Sequence, residues 1–141
     1  MTNKNPDGPT ILLVEDYQET REMLRTWLER RGYRLMEARD GQQAIELAVL
    51  APPDLILMDL RLPELNGIAA TRHLREYAEL KDVPVVVLSA LDPAMFREAA
   101  FRVGCVDYLT KPIDLDKLED LLLRLLRYNP KIHKAFTVTP Y

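Results

Sequence analysis

Four short apolar runs punctuate the chain, and each ends on a polar residue. Ile11-Leu12-Leu13-Val14 stops at Glu15-Asp16, Leu55-Ile56-Leu57-Met58 at Asp59, Val85-Val86-Val87-Leu88 at Ser89, and Val106-Asp107-Tyr108-Leu109-Thr110 at Lys111-Pro112. The first three are apolar without alternation, as parallel strands covered on both faces are. Stretches of helical period lie between them. Met23, Leu24, Trp27 and Leu28 repeat on one face of a first helix, with Trp27 read as core filling, and Gly32 stops it. Tyr33 to Ala38 predicts a second strand, and Asp40-Gly41 opens a helix with Ala44, Ile45 and Ala48 inward, ended by Pro52-Pro53. Ile68, Thr71, Leu74 and Ala78 mark a third helix, and Asp92 with Pro93 begins a fourth that Gly104 closes. A fifth helix is predicted from about Asp114 to Arg127.

Five strands alternating with five helices predict an α/β fold: a doubly wound (βα)5 domain with a five-stranded parallel sheet. All the polar strand ends then meet at one edge. Ligand sites in such sheets lie outside the carboxyl ends of the strands, so the chain predicts a small acidic cleft carrying one hydroxyl and one ammonium.

Length and charge narrow the picture. The 141 residues suit one domain, with residues 1–9 as a flexible N-terminal segment, 10–128 as the domain and 129–141 as a tail too short for an effector module. That tail carries Lys131, His133 and Lys134 and the β-prone Ala135-Phe136-Thr137-Val138-Thr139. A net charge of -3 offers no basic surface for phosphates, so direct DNA or RNA binding is not expected. The single cysteine, Cys105, excludes an internal disulfide and is expected to be buried. His73 and His133 are isolated and lack the partners of a metal site. Neither a secretory signal nor a membrane-spanning stretch is present, which places the protein in the cytoplasm as an expectation.

Crowded together, Glu15, Asp16 and Asp59 must take up a proton or share a cation. Carboxylates without histidine or thiolate suit a hard ion, Mg²⁺ above others. A carboxylate is also a nucleophile toward phosphorus, forming an aspartyl phosphate, with the ion, Lys111 and Ser89 placed to hold the phosphoryl oxygens.

Val14-Glu15-Asp16, the run Asp59-Leu60-Arg61-Leu62-Pro63-Glu64-Leu65-Asn66-Gly67, Ser89-Ala90 and Tyr108-Leu109-Thr110-Lys111-Pro112, in this order and spacing over residues 10 to 128, resemble the receiver domains of two-component response regulators. The resemblance implies Asp59 as phosphoacceptor, Asp16 as a direct Mg²⁺ ligand, Glu15 acting on the ion through water, and the Arg61 backbone carbonyl completing the protein ligands. It implies the flavodoxin-like strand order 2-1-3-4-5, Ser89 as the switch hydroxyl, Tyr108 as the aromatic that turns inward with it, Lys111 as the phosphoryl-contacting cation, and a cis Lys111-Pro112 peptide. Arg61 and Leu91 fall where the family tunes phosphoryl lifetime. The implied partners are a sensor histidine kinase and a downstream protein.

Leu115, Leu118, Leu121, Leu122, Leu125 and Leu126 span about 140° of the fifth helix, wider than a docking stripe, with Leu123 outside it. An exposed apolar strip is therefore expected, meeting a target or forming a homodimer with the fourth helix and fifth strand. Three other readings compete. A flavodoxin-like redox protein needs an uncharged loop where this chain has Glu15-Asp16-Tyr17-Gln18-Glu19, and an aspartate-nucleophile phosphatase needs an acid at Arg61. A non-switching scaffold is disfavoured because every expected site residue is present. A relay intermediate remains as an alternative role for the same acceptor.

Overall fold

The computed structural model describes residues 8–127. In chain order it runs β1 (Thr10–Val14), α1 (Gln18–Arg30), β2 (Arg34–Ala38), α2 (Gly41–Leu50), β3 (Leu55–Met58), α3 (Gly67–Leu74), β4 (Val85–Ser89), α4 (Pro93–Arg102), β5 (Cys105–Thr110) and α5 (Leu115–Arg127). All strand pairings are parallel and the order is β2-β1-β3-β4-β5, as expected. The N-terminal segment's first seven residues, and the tail with His133, lie outside the described residues.

Alternate residues of the central strands feed two separate cores, because successive side chains of a strand point to opposite faces. Leu12, Val14, Ile56, Met58, Val85 and Val87 pack with α2, α3 and α4, while Ile11, Leu13, Leu55, Leu57, Val86 and Leu88 pack with α1 and α5. Each fully buried leucine contributes on the order of 2 kcal/mol. The helix starts are set by short polar side chains that satisfy free amides. Asp40 accepts from Gln43 N at 2.7 Å, Asn66 from Ala69 N at 2.9 Å, Asp92 from Ala94 N at 2.9 Å and Asp114 from Asp116 N at 3.0 Å. Gly32 and Gly104 end their helices at φ 91° and 104°, a region that favours glycine.

Three expectations on the helices are corrected. The α5 strip is not exposed: Leu118, Leu121, Leu122 and Leu126 are buried, Leu115 and Leu125 half-buried, and Leu123 stands out at 44% exposure. Only α1 and α5 cover their side of a five-stranded sheet, so each must present a wide apolar arc. On α1, Met23 points outward and Trp27 is half-buried, with the Arg31 guanidinium 3.9 Å above its ring. Ala78 lies not in α3 but in a separate 3-10 turn, Ala78–Leu80.

Arg75, just past α3, binds that turn to the far end of α4. Its guanidinium donates to the carbonyls of Leu80 and Val83 at 2.8 Å each, and to Gly104 O at 2.8 Å. Burial lowers its pKa from the ordinary value. Cys105 is buried, as expected, with Sγ 3.9 Å from Thr71 Oγ1.

Candidate functional site

Register brings the polar strand ends together. Val14 pairs with Met58 across β1 and β3, so Glu15 and Asp59 leave the sheet side by side. Glu15 N donates to Ala38 O and Asp59 N to Val14 O, both at 3.0 Å, extending the ladder into the cleft. Ser89 pairs with Thr110 across β4 and β5, and Lys111 N donates to Ser89 O at 2.8 Å, which starts the next segment over the same edge. The Lys111-Pro112 peptide is cis.

The Lys111 ammonium sits between two carboxylates, donating to Glu15 Oε1 at 2.7 Å and Asp59 Oδ2 at 2.9 Å. Glu15 and Asp59 are buried at 1% and 5% exposure, whereas Asp16 faces solvent. Oxygens of all three acids lie within 4.8 Å of one another. Burial alone would lower the Lys111 pKa, but its hydrogen bonds to Glu15 and Asp59 outweigh that and raise it. Burial raises Glu15, and the negative charge of Asp59 adds to the effect against the pull of Lys111. Three carboxylates against one ammonium leave a net negative cleft whose donors are all oxygen, a set that fits a hard divalent cation.

The remaining oxygen of Asp59 is also held: Oδ1 accepts from Arg61 N at 3.0 Å, while the Arg61 side chain points to solvent. Gly67 lies against this loop so closely that a Cβ there would come 2.3 Å from Asp59 O and 2.9 Å from Leu60 Cα. The chain can pass behind the acceptor only without a side chain.

Ser89 is fully buried, and its Oγ accepts from Leu91 N at 3.1 Å. Tyr108, at 4% exposure, lies inside and donates its hydroxyl to Leu91 O at 3.0 Å. Burial raises the Tyr108 pKa, against the hydrogen bond with Ser89. Every residue expected at the site is therefore at the same sheet edge. Sequence reasoning missed two supports. Arg21 donates to the carbonyls of Glu15 and Asp16 at 3.0 and 3.5 Å, and its Nε lies 3.5 Å from Glu37, so it braces the acid-bearing loop from α1. Leu91 joins Ser89 to Tyr108 through its backbone alone, which no side-chain pattern reveals.

Residues 11–123 match the family model described as response regulator receiver domain. The chain is 34% identical over 108 residues to the polar-differentiation response regulator DivK of Brucella ovis, covering 77% of this chain and 88% of that protein. It is 35% identical over 127 residues to the DNA-binding dual master transcriptional regulator RpaA of Synechocystis, covering 90% of this chain but only 53% of RpaA. Among solved structures, the receiver domain of sensor histidine kinase PA1611 from Pseudomonas aeruginosa, with a magnesium ion coordinated in its active site cleft, matches at 38% identity and a TM-score of 0.78, over 84% of this chain and 97% of that one. The chemotaxis protein CheY4 of Vibrio cholerae matches at 27% identity and a TM-score of 0.80, over 84% and 99% of the two chains.

Proposed function

The chain belongs to the response regulator receiver domain family, and from that premise we propose that Asp59 accepts a phosphoryl group from the phosphohistidine of a sensor histidine kinase, and that the face formed by α4, β5 and α5 reports the change to a protein partner. The observation that carries this reading is the buried Asp59 carboxylate with Lys111 Nζ at 2.9 Å, among acids that fit a divalent ion.

An oxygen of Asp59 attacks phosphorus; the new O–P bond forms as the N–P bond breaks, and the electron pair returns to the imidazole nitrogen. Arg61 N and Lys111 orient the carboxylate for that attack. A raised pKa keeps Lys111 charged at neutral pH, so it balances negative charge on the phosphoryl oxygens throughout. When bound, Mg²⁺ supplies further charge neutralisation there, held by Asp16 and Asp59, by the Arg61 carbonyl, and by Glu15 through water. Ser89 offers its hydroxyl proton to a phosphoryl oxygen. Such a bond draws on the same hydroxyl that accepts from Leu91 N, and Leu91 O holds Tyr108 inside. Phosphorylation thus biases the population of the inward Tyr108 arrangement rather than creating it.

Phe101, Val106 and Leu123 are exposed at 38%, 46% and 44% on the reporting face, which suits apolar contact with a target or a second copy of the chain. A cytoplasmic location goes with this reading; among the described residues no helix is long and apolar enough to cross a membrane.

The test is a titration with beryllofluoride and Mg²⁺, following Trp27 fluorescence and hydrodynamic size, with Asp59→Asn as control. A saturable Mg²⁺-dependent response lost in the control is the expected result, and an increase in size identifies the homodimer. No binding by the wild-type protein overturns the phosphoacceptor reading.

A further inference from the structure

A cavity of about 710 Å³ opens between α3 and α4, beside the acceptor loop. That volume is within the range of sites for small ligands. Buried Leu60 and Leu62 and half-buried Ile68, Leu91 and Phe96 contribute its apolar wall. Arg61 and Arg72, both exposed, stand on its rim, and no acid lines it. Neither guanidinium has a side-chain hydrogen bond or ion pair among the described residues. Several other arginines among the described residues do: Arg21 and Arg25 share Glu37, Arg31 meets Glu119 and Arg102 meets Glu98. Two uncompensated cations over one apolar wall, in a chain of net charge -3, complement a ligand that is apolar on one side and anionic on the other.

We propose that this cavity binds a small apolar anion, an aromatic or branched aliphatic body carrying a carboxylate, sulfonate or phosphate, and that its occupancy is coupled to the state of Asp59. The coupling rests on the phosphoacceptor reading; the binding does not. Leu91 is the shared element. Its side chain lines the cavity, its N–H donates to Ser89 and its carbonyl accepts from Tyr108. Arg61 adds a second link, because its own N–H holds Asp59. Whatever moves these backbones reshapes the wall, and by linkage a ligand on the wall acts back on Asp59 with the same factor.

The experiment uses the full chain labelled with ¹⁵N and titrated with 8-anilinonaphthalene-1-sulfonate, an apolar ring system with one anionic group, with and without beryllofluoride and Mg²⁺. Saturable amide shifts are expected at Leu62, Ile68, Arg72 and Leu91. Arg72→Gln, outside the phosphoacceptor machinery, is expected to bind the probe about tenfold more weakly while taking up beryllofluoride as before. Uncharged N-phenyl-1-naphthylamine is expected to bind at least about tenfold less well, and beryllofluoride to change probe affinity at least about threefold. Shifts centred on Phe101, Val106 and Leu123 overturn the proposal, as do equal affinities for the charged and neutral probes or for wild type and Arg72→Gln. If beryllofluoride fails to bind Asp59, the phosphoacceptor reading and the coupling fall together, and the probe titration without it still decides the cavity.

Discussion

Lys111 is 20% exposed and shared between Glu15, at 2.7 Å, and Asp59, at 2.9 Å, so its removal leaves two buried carboxylates facing each other. Lys111→Ala should lower stability in Mg²⁺-free buffer by about 2 kcal/mol, checked by urea unfolding; loss of a buried partner costs more than a surface pair contributes. The variant should still accept beryllofluoride in part but lose the fluorescence and size response. A full conformational response would contradict the role given to Lys111. Glu15 has the opposite sensitivity. Burial and Asp59 raise its pKa, so it takes up a proton at higher pH than an ordinary glutamate, and a protonated carboxyl is a poor ion ligand. Calorimetric titration should therefore find Mg²⁺ affinity falling as pH drops from neutrality toward the ordinary carboxylate range, and falling less steeply in Glu15→Gln. Gly67 is a packing constraint: its missing Cβ would lie 2.3 Å from Asp59 O. Gly67→Ala should cost about 2 kcal/mol or more and weaken beryllofluoride binding, because the displaced backbone is the acceptor's own.

At the level of elements, strand ends were the legible part of the site. Parallel register lets a one-dimensional pattern place Glu15, Asp59, Ser89 and Lys111 at one edge, since each apolar run stops at its polar residue. Helix faces were less legible. Period alone gives the width of an arc and not what covers it, so the leucines of α5 read as surplus although Leu118, Leu121, Leu122 and Leu126 are buried with Leu24 and Leu28 of α1. Contacts made to backbone left no trace in the sequence, and Arg75 is the clearest case. Its three 2.8 Å bonds reach carbonyls of residues 5, 8 and 29 positions away. Arg75→Ala should lower stability by about 2 kcal/mol in chemical denaturation, because three charge-assisted bonds are lost, two of them part-buried and the one to Gly104 O exposed. Arg75→Lys, with fewer donors and no planar fork, should recover only part of that.

For the whole molecule, alkaline pH is the revealing condition. Burial raises Cys105 above its ordinary 9.0 and Tyr33 above its ordinary 10.0, and the two carboxylates hold Lys111 above 10.5. In each case the folded state keeps its proton to higher pH than the unfolded chain does. The unfolded state then binds fewer protons, and stability falls as pH rises. The thermal midpoint should hold steady up to about pH 9 and decline above it, with the earliest part of the decline removed in Cys105→Ala. The molecule's mechanics follow from where Arg75 attaches. Its bond to Gly104 O pins the chain just after α4, while the other end begins beyond Leu91, whose ties are to Ser89 and Tyr108. With 10 residues α4 is about 15 Å long. A shift of about 1 Å at the Leu91 end therefore tilts the helix by about 4° around a fixed pivot instead of sliding it bodily. In the proposed switch, motion would therefore be largest at the Leu91 end and smallest at Gly104, like a door whose handle is at the cleft and whose hinge is an arginine.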